Sequence, residues 1–193
     1  DEAVADSVAE LAQSVGLHTQ VFTDPQLFLA AQPLPVPGCV VIDVRMPKMS
    51  GIDVQTALNE LGSPLKLVFI TGHGDVTTAV KAMRDGAVDF LLKPVREQEL
   101  LDSIQRALQS VEYVTLSNQG EDSEQVKKRI STLTEREEQL MRAVVRGDAN
   151  KVIAADLGIS QRTVEIHRSN MMEKMGVRRL ADLVRNCLMA GVA

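Results

Sequence analysis

The chain has 193 residues, of which 45% are hydrophobic and 3% aromatic, and its formal net charge at pH 7 is −5. This length suits one large or two small domains with a substantial core, and the apolar runs are too short to cross a membrane. The three histidines lack the spacing of a zinc site. The two cysteines lie in different halves and predict reduced core residues of a cytoplasmic protein.

Charge is unevenly distributed along the chain. Residues 1–112 contain 15 acidic and 8 basic residues, whereas residues 127–193 contain 8 acidic and 13 basic ones. An acidic half followed by a basic half predicts two domains with different functions. Because basic segments attract nucleic acid, it is a candidate partner of the second half. Ordinary variation in composition is the alternative explanation, so the charges are a first indication only.

The first 112 residues alternate between helical and strand patterns. Helices are predicted over about 4–15, 25–31, 50–61, 75–85 and 97–111, and strands over 17–22, 39–44, 65–71 and 88–92. This alternation predicts an α/β domain with a parallel sheet and helices on both faces.

The remaining residues show no strand pattern. Residues 113–131 are mostly polar and Ser117–Gly120 predicts a break in any helix, so this segment is predicted to be a linker. Its conformation is left open between a flexible tether and two helices separated at Gly120. Four helices are predicted after the linker, over 135–146, 150–157, 161–175 and 178–190.

Three polar side chains lie where predicted strands end. Asp43 ends one strand, Thr71 ends the next, and Lys93 follows the last. In an open parallel sheet, ligands bind beyond the carboxyl ends of the strands. The three groups predict a site at which Asp43 attacks a phosphoryl group while Lys93 and Thr71 hold its oxygens. The predicted cofactor is magnesium (Mg2+), held by carboxylates and a backbone carbonyl.

Two stretches around these residues resemble a known family. In sequence and in spacing they resemble the receiver domain of two-component response regulators of the FixJ type. The two stretches are VIDVRMPKMSGID and FITGHGDVTTAVKAMRDGAVDFLLKP. The resemblance covers residues 1–112 and implies a flavodoxin-like fold with a parallel sheet in the order 2-1-3-4-5. It implies that Asp43 is the phosphoacceptor and that Thr71 and Lys93 bind the phosphoryl group.

The same resemblance assigns further roles. Arg45 is expected to offer its backbone carbonyl to magnesium, and Phe90 to be a switch that swings inward when Thr71 moves toward the phosphoryl group. The bond between Lys93 and Pro94 is expected to be cis, which has a modest cost only before proline. Activation is expected to expose residues 75–92 as a surface through which two copies dimerise.

The sequence departs from this family at its first residues. A receiver begins with a central strand that ends in a pair of acids, whereas this sequence starts at the first helix. The first strand is therefore apparently absent, and strands 17–22 and 39–44 lack the neighbour that they would share. We expect a preceding N-terminal segment to supply it; Asp1 as a substitute magnesium ligand is the alternative.

The pattern of residues 150–175 predicts a helix-turn-helix within an all-α domain of four helices. Two short helices are joined by a turn containing Gly158, and Ser160 caps the second helix. Three stretches in this region resemble the LuxR-type DNA-binding domain of the same regulators: LTEREEQL, NKVIAADLGIS and RTVEIHRSNMMEKMGVR. The resemblance implies that the helix at 161–175 lies in the major groove of DNA.

Candidate DNA contacts divide into two groups. Glu165, Ile166 and Ser169 are predicted near base edges, where an acid accepts from cytosine and an apolar group touches thymine. Contacts to phosphates are predicted for Lys151, Ser160, Arg162, Thr163 and Arg168. For His167, a phosphate contact and packing beside the preceding helix remain open.

These inferences combine into one interpretation. Residues 1–112 are a receiver, 113–131 a linker and 132–193 a DNA-binding domain, in a cytoplasmic regulator that a histidine kinase phosphorylates. Phosphorylation is expected to control homodimerisation and binding to double-stranded promoter DNA, with RNA polymerase as a further candidate partner and no substrate turnover or membrane contact. The alternatives are a phosphorylation-independent regulator with a degenerate receiver and a phosphohydrolase, although Val44 and Arg45 supply no general acid for the latter.

Overall fold

The structure is a computed structural model that describes residues 2–72, 76–109 and 119–192, with the side chains of 119–122 excepted. Asp1 and the predicted helix start at Asp75 lie outside the described residues. The described helices are α1 (Glu2–Ser14), α2 (Pro25–Ala30), α3 (Gly51–Glu60), α4 (Val76–Arg84), α5 (Glu97–Gln109), α6 (Gln119–Ile130), α7 (Glu135–Arg146), α8 (Asn150–Leu157), α9 (Gln161–Lys174) and α10 (Leu180–Met189). The strands are β1 (Cys39–Asp43), β2 (Lys66–Thr71) and β3 (Asp89–Leu92).

The strands form one sheet in the order β1-β2-β3. β1 and β2 are parallel, with Cys39 opposite Lys66 and Asp43 opposite Ile70. In β2 every residue after the first is buried, as expected for a central strand that is covered on both faces. The parallel register brings the carboxyl ends of β1 and β2 to the same edge of the sheet.

Helix starts agree with local capping signals. Ser50 and Asp53 form a capping box at the start of α3, and Thr134 and Glu137 form one at the start of α7. Each side chain satisfies a backbone N–H group that has no partner inside the helix. These short-range bonds explain why the predicted and observed bounds of these helices agree closely.

One sequence-based prediction of secondary structure is wrong. Residues 17–22 form no strand, because no strand among the described residues lies beside them to complete a ladder. Helix α6 begins at Gln119, so Gly120 lies in its first turn, and residues 110–118 lie outside the described residues. The described end of the predicted linker is therefore helical, whereas a break before Gln119 stays a prediction. Val126 of α6 is buried in a hydrophobic core, and this packing stabilises the helix.

The chain divides into two compact units. The first spans Asp1–Gly72 and Leu91–Val114, and the second spans His73–Phe90 and Thr115–Ala193. The second unit has its own core, to which α7, α9 and α10 contribute fully buried side chains. They include Leu140, Met141, Val144, Val164, Met171, Met175, Leu183 and Cys187.

The remaining general features concern cysteines and membranes. Cys39 and Cys187 are free thiols, and burial raises the pKa of Cys39 to about 12 and that of Cys187 to about 11. Both thiols are therefore poorly ionised at neutral pH and unreactive. None of the described helices is long and apolar enough to cross a bilayer.

Candidate functional site

The structure joins Asp43 and Lys93 at the end of the sheet. Nζ of Lys93 lies 2.7 Å from Oδ2 of Asp43 and donates a hydrogen bond to it. Oδ1 of the same carboxylate accepts a hydrogen bond from the backbone N–H of Arg45 over 3.0 Å. The side chains of Asp43 and Lys93 are 25% and 29% exposed. The carboxylate is thus held in a fixed orientation and is still accessible from solvent.

Thr71 lies at the end of the neighbouring strand. Its backbone oxygen accepts a hydrogen bond from the N–H of Lys93 over 2.9 Å, which ties the end of β2 to the residue after β3. The Lys93–Pro94 bond is cis, as expected. Thr71 and Phe90 are both buried, at 1% and 7% exposure. The structure therefore brings the predicted carboxylate, ammonium group and Thr71 strand end to one edge of the sheet.

Gly51 is a residue of this site that the sequence analysis missed. A Cβ atom at position 51 would lie 2.3 Å from the backbone oxygen of Asp43 and 3.1 Å from Cε1 of Phe69. The N–H of Gly51 donates to the backbone oxygen of Val44 over 3.0 Å. The first turn of α3 thus packs directly against the residue that carries the carboxylate, at a distance that glycine alone allows. The Ser50-Gly51 pair shows a helix start in the sequence, but not this contact.

The donor atoms at this edge suit a magnesium ion. Mg2+ prefers oxygen ligands, is often bound through one or two carboxylates, and retains several waters. The carboxylate of Asp43 is accessible there, and the backbone carbonyl of Arg45 is the predicted second ligand. Among the described residues no three acidic, histidine or cysteine side chains are grouped to hold an ion. Asp1 is outside the described residues, so its predicted role stays a prediction.

The predicted DNA contacts lie on α8, on α9 and on Ser160 between them. Ile166 is 53% exposed, so its side chain is accessible to a thymine methyl group. Most of the other candidates are also exposed: Lys151, Ser160, Arg162, Glu165 and Ser169. This surface is opposite in character to the buried side of α9, which holds Val164 and Met171.

Three of the candidates also have structural partners. The hydroxyl of Ser160 accepts from the N–H of Thr163 over 3.1 Å and caps α9. Nη1 of Arg168 donates to Oδ1 of Asn150 over 3.3 Å, and burial lowers the pKa of the Arg168 guanidinium. Arg168 therefore joins α9 to the start of α8, a role that the sequence analysis did not assign. His167 is half-buried, which leaves its two interpretations open.

The last turn of α9 is joined to α7 by an ion pair. Nζ of Lys174 lies 2.6 Å from Oε2 of Glu137, whose side chain is 5% exposed. The hydrogen bond from Lys174 and that from the backbone N–H of Thr134 hold the pKa of Glu137 below its usual range, although burial opposes them. A lowered carboxylate pKa stabilises the folded state above the pKa of the unfolded chain, and this contribution is lost as the pH falls through the folded value.

We therefore expect the second unit to lose stability below about pH 4.3, the ordinary pKa of glutamate. Glu137→Gln should weaken this dependence, because glutamine does not titrate. Urea denaturation midpoints between pH 7 and pH 3 measure the effect. Glu138→Gln is the control, since Glu138 forms an exposed pair with Arg142. The prediction would be contradicted if the urea midpoint changed equally with pH in the wild type and in Glu137→Gln.

Comparison with known families gives two matches. The response regulator receiver domain family matches residues 1–105. The luxR family of bacterial regulatory proteins matches residues 131–187. The two matches cover the sheet edge with Asp43 and the helices α7 to α9, respectively.

Known proteins are similar over nearly the whole chain. The response regulator protein TodT of Pseudomonas putida is 45% identical over 185 residues, which cover 96% of this chain and 81% of TodT. The transcriptional regulatory protein FixJ of Azorhizobium caulinodans is 44% identical over 194 residues, which cover all of this chain and 90% of FixJ. Full-length FixJ from B. japonicum is similar in structure, with a TM-score of 0.55, 39% identity and coverage of 100% and 94% of the two chains. The response regulator StyR has the same TM-score at 40% identity, with coverage of 97% and 94%.

Proposed function

Because this chain belongs to the FixJ-type response regulators, which join a receiver to a LuxR-type DNA-binding domain, we propose that phosphorylation of Asp43 controls its binding to promoter DNA. The observation that carries the proposal is the 2.7 Å contact between Lys93 and the Asp43 carboxylate at the end of the sheet. The ammonium group offsets the charge of the carboxylate and is placed to donate a charge-assisted hydrogen bond to an oxygen of a phosphoryl group attached there. The chain is a transcription regulator rather than an enzyme, and we expect no turnover of a separate substrate.

In the proposed reaction, Asp43 accepts a phosphoryl group from the phosphohistidine of a sensor kinase. One carboxylate oxygen attacks phosphorus and forms the P–O bond of an acyl phosphate, while the P–N bond to the imidazole breaks. The imidazole nitrogen keeps the bonding electrons and takes up a proton. Magnesium, held by Asp43 and the Arg45 carbonyl, would neutralise charge on the phosphoryl oxygens.

Lys93 and Thr71 would stabilise the product. Nζ of Lys93 already touches the carboxylate, so its donors are placed beside the oxygens of the new phosphoryl group. Thr71 would turn its hydroxyl toward the same group, and Phe90 would adjust to the space that Thr71 leaves. Both side chains are buried, and a packed interior favours discrete arrangements over continuous deformation.

This proposal predicts a single phosphoryl group per chain. Intact mass measured after incubation with acetyl phosphate and Mg2+ should rise by one phosphoryl group in the wild type and not in Asp43→Asn. Lys93→Met should reduce the yield, because the ammonium group that offsets the phosphoryl charge is lost. An unchanged mass in the wild type, or a gain that persists in Asp43→Asn, would contradict the proposal. DNA binding that is the same with and without phosphorylation would instead favour the phosphorylation-independent regulator.

Contacts within the second unit bear on how phosphorylation would act. Helix α4 packs against α7 and α10. Oγ1 of Thr77 donates to the backbone oxygen of Gly147 over 2.6 Å. Asp89, which is fully buried, accepts a hydrogen bond from Nη1 of Arg179 over 2.9 Å. The surface proposed to form the dimer therefore already contacts α7, α10 and their flanking residues in the DNA-binding domain.

We propose that this packing opens before residues 75–92 pair with a second copy, since one surface cannot contact both. The contacts therefore support a resting state in which α7 and α10 cover the dimerisation surface. The phosphorylated dimer would then present two copies of α9 to paired half-sites about one turn of DNA apart. The exposed candidates Lys151, Arg162 and Ile166 support α8 and α9 as the DNA-facing side. We place these steps in the cytoplasm, where the promoter and RNA polymerase are present.

A further inference from the structure

The second half of α6 is part of the DNA-binding core. Val126 is 6% exposed and belongs to the same hydrophobic cluster as Leu140 and Met171, and Ile130 packs against that cluster. Residues 123–130 were predicted to lie within a linker. Their packing means that any displacement of the chain before the DNA-binding domain reaches that domain through a helix that is already attached to it.

Arg129 joins α6 to the end of α9. Its Nη1 atom donates a hydrogen bond over 3.0 Å to the backbone oxygen of Met175, the residue that caps the C-terminus of α9. The last carbonyl groups of a helix have no partner inside it and carry partial negative charge. A guanidinium group is a suitable partner because it is always charged and donates hydrogen bonds in a planar array.

Gly176 provides the second half of this contact. A Cβ atom added at position 176 would lie 3.0 Å from Nη1 and 3.2 Å from Cζ of Arg129. The guanidinium group therefore packs against the backbone where the chain leaves α9. Gly176 also has a φ of +65°, a conformation that favours glycine. Gly176 thus leaves room for the guanidinium group and allows the backbone turn that follows α9.

Two side chains hold the end of α9 and are called its anchors here: Arg129, described above, and Lys174. Lys174 binds Glu137 at the start of α7. Both anchors hold the last turn of α9, but they connect it to different segments. The Lys174 anchor lies between two helices of the DNA-binding domain, whereas the Arg129 anchor leads to the segment that follows the receiver.

We propose that Arg129 is a positioning residue for α9 and that it transmits displacement of α6 to the DNA-reading surface. Ser169 precedes Met175 by six residues, a distance of about 9 Å along a helix. Because a helix of this length is stiff, a shift at Met175 changes the angle of the exposed face that holds Ile166 and Ser169. The inference rests on the proposed use of α9 in reading DNA.

The test compares Arg129→Gln with Lys128→Gln in the full chain. Lys128 is an exposed neighbour on the same helix, so the control removes an equal charge without the contact to Met175. For Arg129→Gln we expect amide hydrogen exchange in the last turn of α9 to be about tenfold faster, the loss that one charge-assisted hydrogen bond represents. Arg129→Lys should recover part of the protection.

DNA selectivity gives a readout that loss of helix stability alone would not change. Two DNA duplexes serve as probes: one that the phosphorylated wild type selects from a random library, and one of random sequence. Affinities are measured at a temperature at which circular dichroism shows that every variant is fully folded. Arg129→Gln should lower the ratio of the two affinities about tenfold, with binding to the random duplex unchanged. Gly176→Ala, which presses a Cβ atom on the guanidinium group, should lower the ratio in the same direction.

Three results would overturn the inference. The first is an amide exchange rate in Arg129→Gln equal to that of the wild type, and the second is the same increase in exchange in Lys128→Gln as in Arg129→Gln. The third is an equal loss of affinity of Arg129→Gln for both duplexes, which would make Arg129 a phosphate contact. If the wild type selects no duplex, the proposed DNA-binding function fails. The exchange measurement still decides whether Arg129 holds α9, so the two failures are distinguishable.

Discussion

Replacing Gly51 with alanine is expected to lower the rate of Asp43 phosphorylation about 10²-fold and to destabilise the receiver by about 1–3 kcal/mol. The added Cβ would lie 2.3 Å from the backbone oxygen of Asp43. Relief of that clash requires a shift of about 1 Å, and misplacement of a reacting group by about 1 Å is enough for such a rate loss. Cε1 of Phe69 lies 3.1 Å from the same Cβ position, which reduces the free space around it further.

The rate of phosphorylation by acetyl phosphate and the urea denaturation midpoint measure the two effects. Gly62→Asn is the control, because position 62 is open and exposed with a φ of +62°, which asparagine tolerates better than other residues with a Cβ. The prediction fails if Gly51→Ala is phosphorylated at the rate of Gly62→Asn. A change in stability with no change in rate would show that the loop relaxes away from the carboxylate.

Replacing Arg179 with methionine is expected to destabilise the packing between the start of α10 and the start of β3 by about 3 kcal/mol. The substitution leaves the fully buried carboxylate of Asp89 without the guanidinium group that lies 2.9 Å away. Removing one partner of a buried pair costs more than removing both, because the buried carboxylate loses a cation that offsets its charge. The value lies at the lower end of the usual range because Arg179 is itself 27% exposed.

The consequence for function is dimerisation without phosphorylation. If the surface of residues 75–92 is released from α10, Arg179→Met should form dimers at lower protein concentration than the wild type, as measured by sedimentation equilibrium without a phosphodonor. Arg178→Met is the matched control, because Arg178 is an exposed neighbour. Asp89→Asn combined with Arg179→Met should recover part of the lost stability, since the buried charge is removed as well. Equal association constants for the two arginine variants would refute masking by α10.

Local signals account for what could be predicted from the sequence. The capping residues Ser50 and Thr134 predict the starts of α3 and α7, and the apolar runs before Asp43 and Thr71 predict β1 and β2. Both signals act between residues a few positions apart, so they do not depend on the rest of the fold. The meeting of Asp43 and Lys93 could also be predicted, because the carboxyl ends of parallel strands lie at one edge of a sheet.

By itself, the sequence determined the family, the identity of the predicted phosphoacceptor, and most helices and strands, because these depend on residue type and short spacing. Only the tertiary structure decided that 17–22 forms no strand and that residues 123–130 of the predicted linker pack as part of α6 against the DNA-binding core, because strand pairing and core packing join distant residues. The close approach of Gly51 to Asp43 and the contacts of Arg129 and Arg179 are of the same kind. Each depends on a distance between residues far apart in the chain, which the folded backbone sets and residue spacing does not.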